Sequence, residues 1–451
     1  MGKALLSVGL DVGTTSTQMI LSRLTAENRA AGFAVPQMQI TKREILYRSP
    51  VHFTPLSSHD LVDGQALREL IEKEYRAAGI TRQQVDTGAV IITGETSRKE
   101  NAKTVLENLS DFAGDFVVAT AGPDLESILA ARGAGALERS EDGAVLHMDI
   151  GGGTSNLCLC KDGQVVATGC LNVGGRLLKF DETGMLTYRS PVLESLTDLK
   201  PGDFPQDGQV NAIGKILTCA LEMAAGLREP TELLPKLTTQ ETGKSWTPPK
   251  VAKLSFSGGV ADCITQDFPP LQFGDMGPIL GKCIRQSRLC QGEYFLGKET
   301  IRATVVGAGC HSVALSGSTV FYRNVGFPLK NLPVAVIPNP KTPREVTQAL
   351  QSLDTEGILA IPGFGAAGYA QVVKLAEILA EGFGERPIKV CLQQDMAKAL
   401  GYAMQRFLRP GRSCLCIDGL VLDPGSYLDV GAPVGPALPV VIKSLVFGGS
   451  Q

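Results

Sequence analysis

Two short loops, far apart in the chain, constrain this sequence more than anything else. The first is Asp11-Val12-Gly13-Thr14-Thr15-Ser16, which follows the apolar run from Leu5 to Leu10. The second is Asp149-Ile150-Gly151-Gly152-Gly153-Thr154, which follows Ala144 to Met148. Each reads as strand, aspartate, glycine, hydroxyls and a second strand. Glycine lets backbone N–H groups turn toward an anion with no Cβ in the way, and the threonine hydroxyls add donors. One aspartate per turn suits Mg²⁺ held through its waters, an ion that takes few carboxylates alongside substrate phosphates. The candidate site residues are therefore Asp11 and Asp149 as catalytic, metal-holding carboxylates, with Gly13, Thr14, Thr15, Gly151, Gly152, Gly153 and Thr154 around the phosphates. Facing each other, the loops would clamp the β- and γ-phosphates of ATP from both sides.

One such loop alone is more often a plain hairpin. The two together, in this order, resemble the phosphate-1 and phosphate-2 loops of the superfamily of actin, the heat-shock ATPase chaperones and sugar kinases. A third stretch agrees. Leu254-Ser255-Phe256-Ser257-Gly258-Gly259-Val260-Ala261-Asp262 is an apolar strand ending in Gly-Gly. It resembles that superfamily's adenosine motif, which implies Ser257, Gly258 and Gly259 against the nucleoside. The resemblance implies an α/β, two-lobed actin-like ATPase fold with ATP/ADP and Mg²⁺ as cofactors.

The chain has 451 residues, enough for about two to four domains. Net charge is −3, so no basic field points to nucleic acid or an anionic membrane. No apolar run approaches the roughly 20 residues of a spanning helix. Met1-Gly2-Lys3 followed by a strand shows no signal peptide, which favours the cytoplasm. Eleven cysteines include no Cys-x-x-Cys. Cys158/Cys160 and Cys414/Cys416 are two apart, on one face of a strand in each case, and read as packing in a reducing compartment. The four histidines form no spaced cluster, and His147 reads as a core residue.

Three regions are expected. Residues 1–143 form a first ATPase lobe, with an inserted region at 24–118. Residues 144–319 form a second lobe carrying the phosphate-2 and adenosine motifs. Residues 320–451 form a C-terminal α/β region beyond what the clamp requires. Within these, Leu67, Leu70, Ile71 and Ala78 have helical spacing, and Ala89 to Ile92 is a short buried strand. A helix begins near Pro123 and ends near Gly133. Lys161-Asp162-Gly163 is a hairpin turn, 211–227 a helix, and 301–316 resembles the helix by which the superfamily returns to its first lobe. Thr342-Pro343-Arg344-Glu345 is a capping box opening a helix. Strands at Ile358–Ile361 and Ile388–Leu392 then alternate with helices at 369–381 and 395–408.

Two motifs are set aside. Gly363-Phe364-Gly365-Ala366-Ala367-Gly368 matches the dinucleotide fingerprint, but Pro362 precedes it and no acidic residue ends the next strand. Gly292 to Lys298 resembles a phosphate loop, but Glu299 stands where a Mg²⁺-binding hydroxyl belongs, and the segment reads as a surface turn.

The resemblance narrows further. Gly9 to Gln18, Ala89 to Ala102, Leu428 to Pro433 and Ala437 to Lys443 together resemble the EutA family of ethanolamine ammonia-lyase reactivating factors, over nearly the whole chain. That implies an ATP-dependent chaperone whose partner, ethanolamine ammonia-lyase, is an adenosylcobalamin enzyme blocked by damaged cofactor. It also implies a role in ethanolamine catabolism and association with a bacterial microcompartment. Oligomeric state is left open, homo-oligomers included. Where the heat-shock chaperones have Glu-Pro, this chain has Gly122-Pro123, with Asp124 or Glu126 as substitutes for the water-positioning carboxylate. ATP binding is therefore expected, with turnover slowed but binding kept. A small-molecule kinase and an actin-like scaffold are the competing readings; the triple glycine Gly151-Gly152-Gly153 favours the chaperones. Residues 320–451 are expected either to recognise the partner or to buttress the core.

Overall fold

The computed structural model describes residues 3–13, 16–28, 38–58, 61–93, 117–120, 123–239, 246–249, 253–311, 313–316, 319–353, 356–362, 368–422, 426–433 and 437–444. The first sheet holds β1 (Lys3–Val12), β2 (Ser16–Asn28), β3 (Met38–Arg48), β4 (Thr87–Ile92) and β5 (Val117–Thr120) in the order β3-β2-β1-β4-β5, with the short strand His52–Phe53 also on β2. The second holds β6 (Val145–Ile150), β7 (Ser155–Lys161), β8 (Gln164–Leu171), β9 (Lys253–Ser257) and β10 (Glu293–Leu296) in the order β8-β7-β6-β9-β10. Both run third, second, first, fourth, fifth. In both, the first three strands are antiparallel and the last two join in parallel. The chain thus builds one topology twice, and the two sequence loops occupy the same place in each copy.

Strand periodicity explains how each sheet is covered on two sides. Along β1, Val8, Leu10 and Val12 pack on Leu67, Ile71 and Tyr75 of α1 (Gly64–Ala77). Asp63 caps that helix, accepting from the Gln65 and Ala66 amides at 3.1 and 3.0 Å. The alternate residues Leu5, Ser7, Gly9 and Asp11 point the other way; Ser7 Oγ donates to the Gly309 carbonyl at 2.6 Å. Along β6, Leu146, Met148 and Ile150 join the large core under α3 (Asp207–Ala224) and α4 (Gly277–Arg285). The alternate residue Val145 packs with Cys158, Cys160 and Ala131 of α2 (Pro123–Ala134).

Between the two inner faces, α2 crosses the segment 303–311. That segment is a short α-helix, Ala303–Val306, running into a π-helical turn, Gly307–His311. The crossing is a backbone-to-backbone contact. A Cβ on Gly133 would fall 1.8 Å from the Ala303 carbonyl oxygen, and one on Gly307 would fall 2.0 Å from that of Leu129.

Several expectations change here. The return helix expected over 301–316 stops at His311, and Val313–Leu315 is instead a strand. Residues 24–118, expected as an insertion, supply the end of β2, all of β3 and β4 and the start of β5 to the first sheet. Gly292 to Lys298 is not a surface turn. Its Glu293–Leu296 is edge strand β10, paired in parallel with β9.

The third sheet contains β11 (Val313–Leu315), β12 (Phe321–Arg323), β13 (Leu329–Val336), β14 (Ile358–Ile361), β15 (Ile388–Leu392), β16 (Cys414–Ile417), β17 (Ser426–Val430) and β18 (Pro439–Ser444). Its order is β11-β18-β17-β13-β14-β15-β16-β12. Helices α5 (Pro343–Gln351), α6 (Tyr369–Gly382) and α7 (Ala397–Met404) cover one face. Thr342 caps α5 as expected, its Oγ1 accepting from the Glu345 amide, while Glu345 Oε2 reaches one residue further back and accepts from the Lys341 amide at 3.0 Å. This layer is tied to the first lobe: Val441 of β18 is buried with Leu5, Leu24 and Ala89. No helix among the described residues is long and apolar enough to cross a membrane.

Candidate functional site

The two loops close with the same hydrogen bond. Gly13 N donates to the Ser16 carbonyl at 2.9 Å, and Gly151 N to the Thr154 carbonyl at 2.9 Å. The strand register then fixes what surrounds each aspartate. Asp11 lies opposite Gln18 on β2, and Asp149 opposite Asn156 on β7; directly opposed side chains share one face. Gln18 and Asn156 are 4% and 2% exposed. Gln18 Oε1 and Asn156 Oδ1 are buried with no hydrogen-bond partner. An orphaned buried acceptor costs about 1–3 kcal/mol, so each carboxylate is flanked by an amide oxygen that lacks a donor. The waters of a hydrated cation are donors. The residues present therefore fit Mg²⁺ held through its waters.

Each aspartate also accepts from a hydroxyl at the end of the parallel neighbouring strand. Thr93, just after β4, donates through Oγ1 to Asp11 Oδ1 at 2.9 Å. Ser257, the last residue of β9, donates to Asp149 Oδ1, and Thr304 Oγ1 to Asp149 Oδ2 at 3.4 Å. Burial raises both carboxyls, Asp11 to about 7 and Asp149 to about 6; the hydroxyls pull the other way, and the charge of Asp149 raises Asp11 further.

The glycines have distinct jobs. At Gly153 a Cβ would meet nothing within 4 Å. Gly152 lies under the Arg176 side chain, whose Cδ would be 3.2 Å from a Cβ there. Gly258 has φ +88° and a Cβ would sit 2.3 Å from the Ile150 carbonyl oxygen, so this glycine is required by the backbone itself. At Gly259 the nearest atom to a Cβ is Ile301 Cδ1 at 4.0 Å. Ser257, expected against a nucleoside, turns its hydroxyl to Asp149 and His147. Thr14 and Thr15 lie outside the described residues, as do Gly122 and Gly363–Ala367 of the dinucleotide-like motif. Of the substitutes for a water-positioning carboxylate, Asp124 Oδ1 accepts from Thr168 Oγ1 at 2.5 Å, which ties it to β8.

The loops alone did not reveal Arg176. Its backbone N–H donates to the Gly152 carbonyl at 2.6 Å, and that of Gly175 to Gly151 at 3.0 Å. The guanidinium Nε donates to Asp275 Oδ2 at 3.2 Å, and Asp275 Oδ1 accepts from the Gly277 amide at 2.8 Å. A cation is thus strapped along the second loop. The signal was Gly174-Gly175 directly before an arginine: a Cβ on Gly174 would lie 2.3 Å from the Gly152 carbonyl oxygen.

Residues 3–448 match the model of a family described as ethanolamine utilisation protein EutA. The chain is 40% identical over 477 aligned positions to a Salmonella typhimurium protein named ethanolamine ammonia-lyase reactivase EutA, with 99% of each chain covered. An Escherichia coli protein of the same name is 39% identical, again with 99% of each covered. Among solved structures, an Aquifex aeolicus Ppx/GppA phosphatase superposes with a TM-score of 0.40 at 12% identity, over 68% of this chain and 99% of its own. That likeness is too loose to carry an assignment, whereas the full-length sequence match is not: the chain belongs to the EutA family.

Proposed function

We propose that this protein is an ATP-dependent chaperone that reactivates ethanolamine ammonia-lyase, releasing damaged cobalamin so that intact adenosylcobalamin can bind. The observation that carries the nucleotide reading is the duplicated turn, with an aspartate beside a buried, donor-starved amide in each copy. The amides of both loops would bind the phosphates, helped by Arg176 and by Thr14, Thr15 and Thr154. Asp11 and Asp149, with Gln18 and Asn156, would hold Mg²⁺ through its waters; the ion would supply charge neutralisation between the phosphates. Gly259 and the backbone around Gly258 would lie against adenosine.

Hydrolysis is slow in this reading, because Asp124 is engaged by Thr168 and Gly122 brings no side chain. The phosphate-bound and released states would favour different closures of the two lobes about the glycine crossing of α2 and 303–311. Only differential affinity shifts such an equilibrium, and a coupling of about 1–3 kcal/mol is the usual scale. The protein would act where its partner lyase resides, in the cytoplasm or a bacterial microcompartment.

The test adds ATP, Mg²⁺ and intact adenosylcobalamin to ethanolamine ammonia-lyase inactivated by damaged cofactor, with and without this protein. Recovery of lyase activity that needs both ATP and the protein supports the reading. Recovery without ATP, or none at all, overturns it.

A further inference from the structure

The inner face of the second sheet carries a buried imidazole with no role in the clamp described so far. His147 is fully buried on β6, two residues before Asp149 and on the same face. Its Nδ1 lies 3.0 Å from Ser255 Oγ and its Nε2 2.9 Å from Ser257 Oγ. Ser257 Oγ in turn meets Asp149 Oδ1. The parallel register makes this possible, pairing His147 with Ser255 and Asp149 with Ser257. Four side chains from two strands therefore form one line: Ser255, His147, Ser257, Asp149.

The direction of that line follows from its end. An ionised carboxylate only accepts, and a serine has one proton to give. Ser257 gives its proton to Asp149, so its oxygen must accept from His147 Nε2–H. Nδ1 is then the acceptor for the Ser255 hydroxyl. One donor and one acceptor nitrogen is the pattern of a neutral imidazole, fixed here by the two serine contacts.

We propose that His147 is a positioning residue for Asp149: its Nε2–H tautomer pins the Ser257 hydroxyl to Asp149 Oδ1 and so fixes the carboxylate toward the metal waters. Carboxylate torsions are broad and roughly two-fold, so Asp149 needs such a restraint from its partners. Thr304 supplies only a longer contact on the other oxygen, at 3.4 Å. The strand that leads into the adenosine motif thereby sets the aim of a residue in the phosphate-2 loop. This inference rests on the reading of Asp149 as a Mg²⁺-holding group.

The experiment measures ADP affinity with and without Mg²⁺ for the full chain and for His147→Leu, His147→Gln, Ser257→Ala and Asp149→Asn, alongside ¹⁵N-histidine NMR of the tautomer. His147→Leu should lose more than tenfold of the Mg²⁺-dependent affinity and keep the metal-free affinity. His147→Gln retains an N–H near the Nε2 position and should recover most of the loss. If His147→Leu fails to fold, Ser257→Ala, which removes the link itself, should show the same selective loss. The spectrum should show Nε2–H in the Mg·ADP state; an Nδ1–H tautomer there overturns the proposal. So does wild-type Mg²⁺ dependence in His147→Leu or Ser257→Ala while Asp149→Asn has lost it. If Asp149→Asn itself keeps full Mg²⁺ dependence, the metal reading fails, and this proposal with it.

Discussion

The charge of Asp149, on the second sheet, raises the pKa of Asp11, on the first, adding to the effect of burial. The two aspartates belong to separate copies of one topology, yet they share one electrostatic environment. Ionising both without a cation is costly. Asp11→Asn and Asp149→Asn should each abolish Mg²⁺-dependent nucleotide binding and leave a folded chain. At pH 8 Asp11→Asn should also raise the melting temperature of the nucleotide-free protein, since it removes a charge that burial and Asp149 disfavour. Calorimetry with and without Mg·ADP checks both; a double mutant with unchanged Mg·ADP affinity would remove the assignment.

The same shifts set a pH dependence. Both carboxyls have folded values, about 7 and about 6, above the ordinary 3.8. The nucleotide-free fold binds these protons more tightly than the unfolded chain. Their contribution to its stability is fully present below about pH 4 and is lost as pH rises through 6 to 7. A cation needs the ionised forms. Binding of Mg·ADP should therefore release protons at pH 6, release almost none at pH 8.5, and strengthen as pH rises between them. Isothermal titration in buffers of different ionisation enthalpy counts the protons; equal release at both pH values would contradict the burial of the pair.

Gly258 and Gly259 should separate by substitution. Gly258→Ala places a Cβ against the Ile150 carbonyl at a φ of +88° and should lower stability by about 2 kcal/mol or more with or without nucleotide. Gly259→Ala meets open space and should leave the melting temperature unchanged. Gly259→Val should weaken ATP binding more than tenfold if the nucleoside lies there. Normal affinity in a folded Gly259→Val chain would move the adenosine elsewhere.

The crossing of α2 and 303–311 tolerates no side chain. Gly133→Ala or Gly307→Ala should destabilise by about 3 kcal/mol or more, because backbone rather than a flexible side chain must give way. Denaturant unfolding reads the loss, and a wild-type midpoint in either variant would show that the helices can part freely.

Truncation near Val320 should unsettle the first lobe. It removes β18, the strand partner of Val313–Leu315, and with it Val441 from the cluster containing Leu5 and Leu24. A truncated chain that melts like the full one and still binds ATP would show that the C-terminal layer is not a buttress and return it to partner recognition.

What the sequence determined by itself was local. Strand alternation put Val8, Leu10 and Val12 on the face away from Asp11, and Leu146, Met148 and Ile150 on the face away from Asp149. Lys161-Asp162-Gly163 turned where expected, with Asp162 and Gly163 both at positive φ, and Thr342 with Glu345 capped its helix. These signals lie within a few residues of one another, so composition and spacing carry them. Tertiary structure decided what depends on distant partners. Glu293–Leu296 became a strand because β9 offers an open edge, and Val313–Leu315 because β18 returns from the far end of the chain. The Ser257 hydroxyl turned to Asp149 and His147 through register between strands separated by a long stretch of sequence, and Arg176 came to lie along Gly152 through backbone bonds from Gly175 and Arg176 to that loop. At Gly258 the missing side chain makes room for the Ile150 carbonyl, a partner only the fold supplies, since a glycine in sequence announces a close approach but not what approaches.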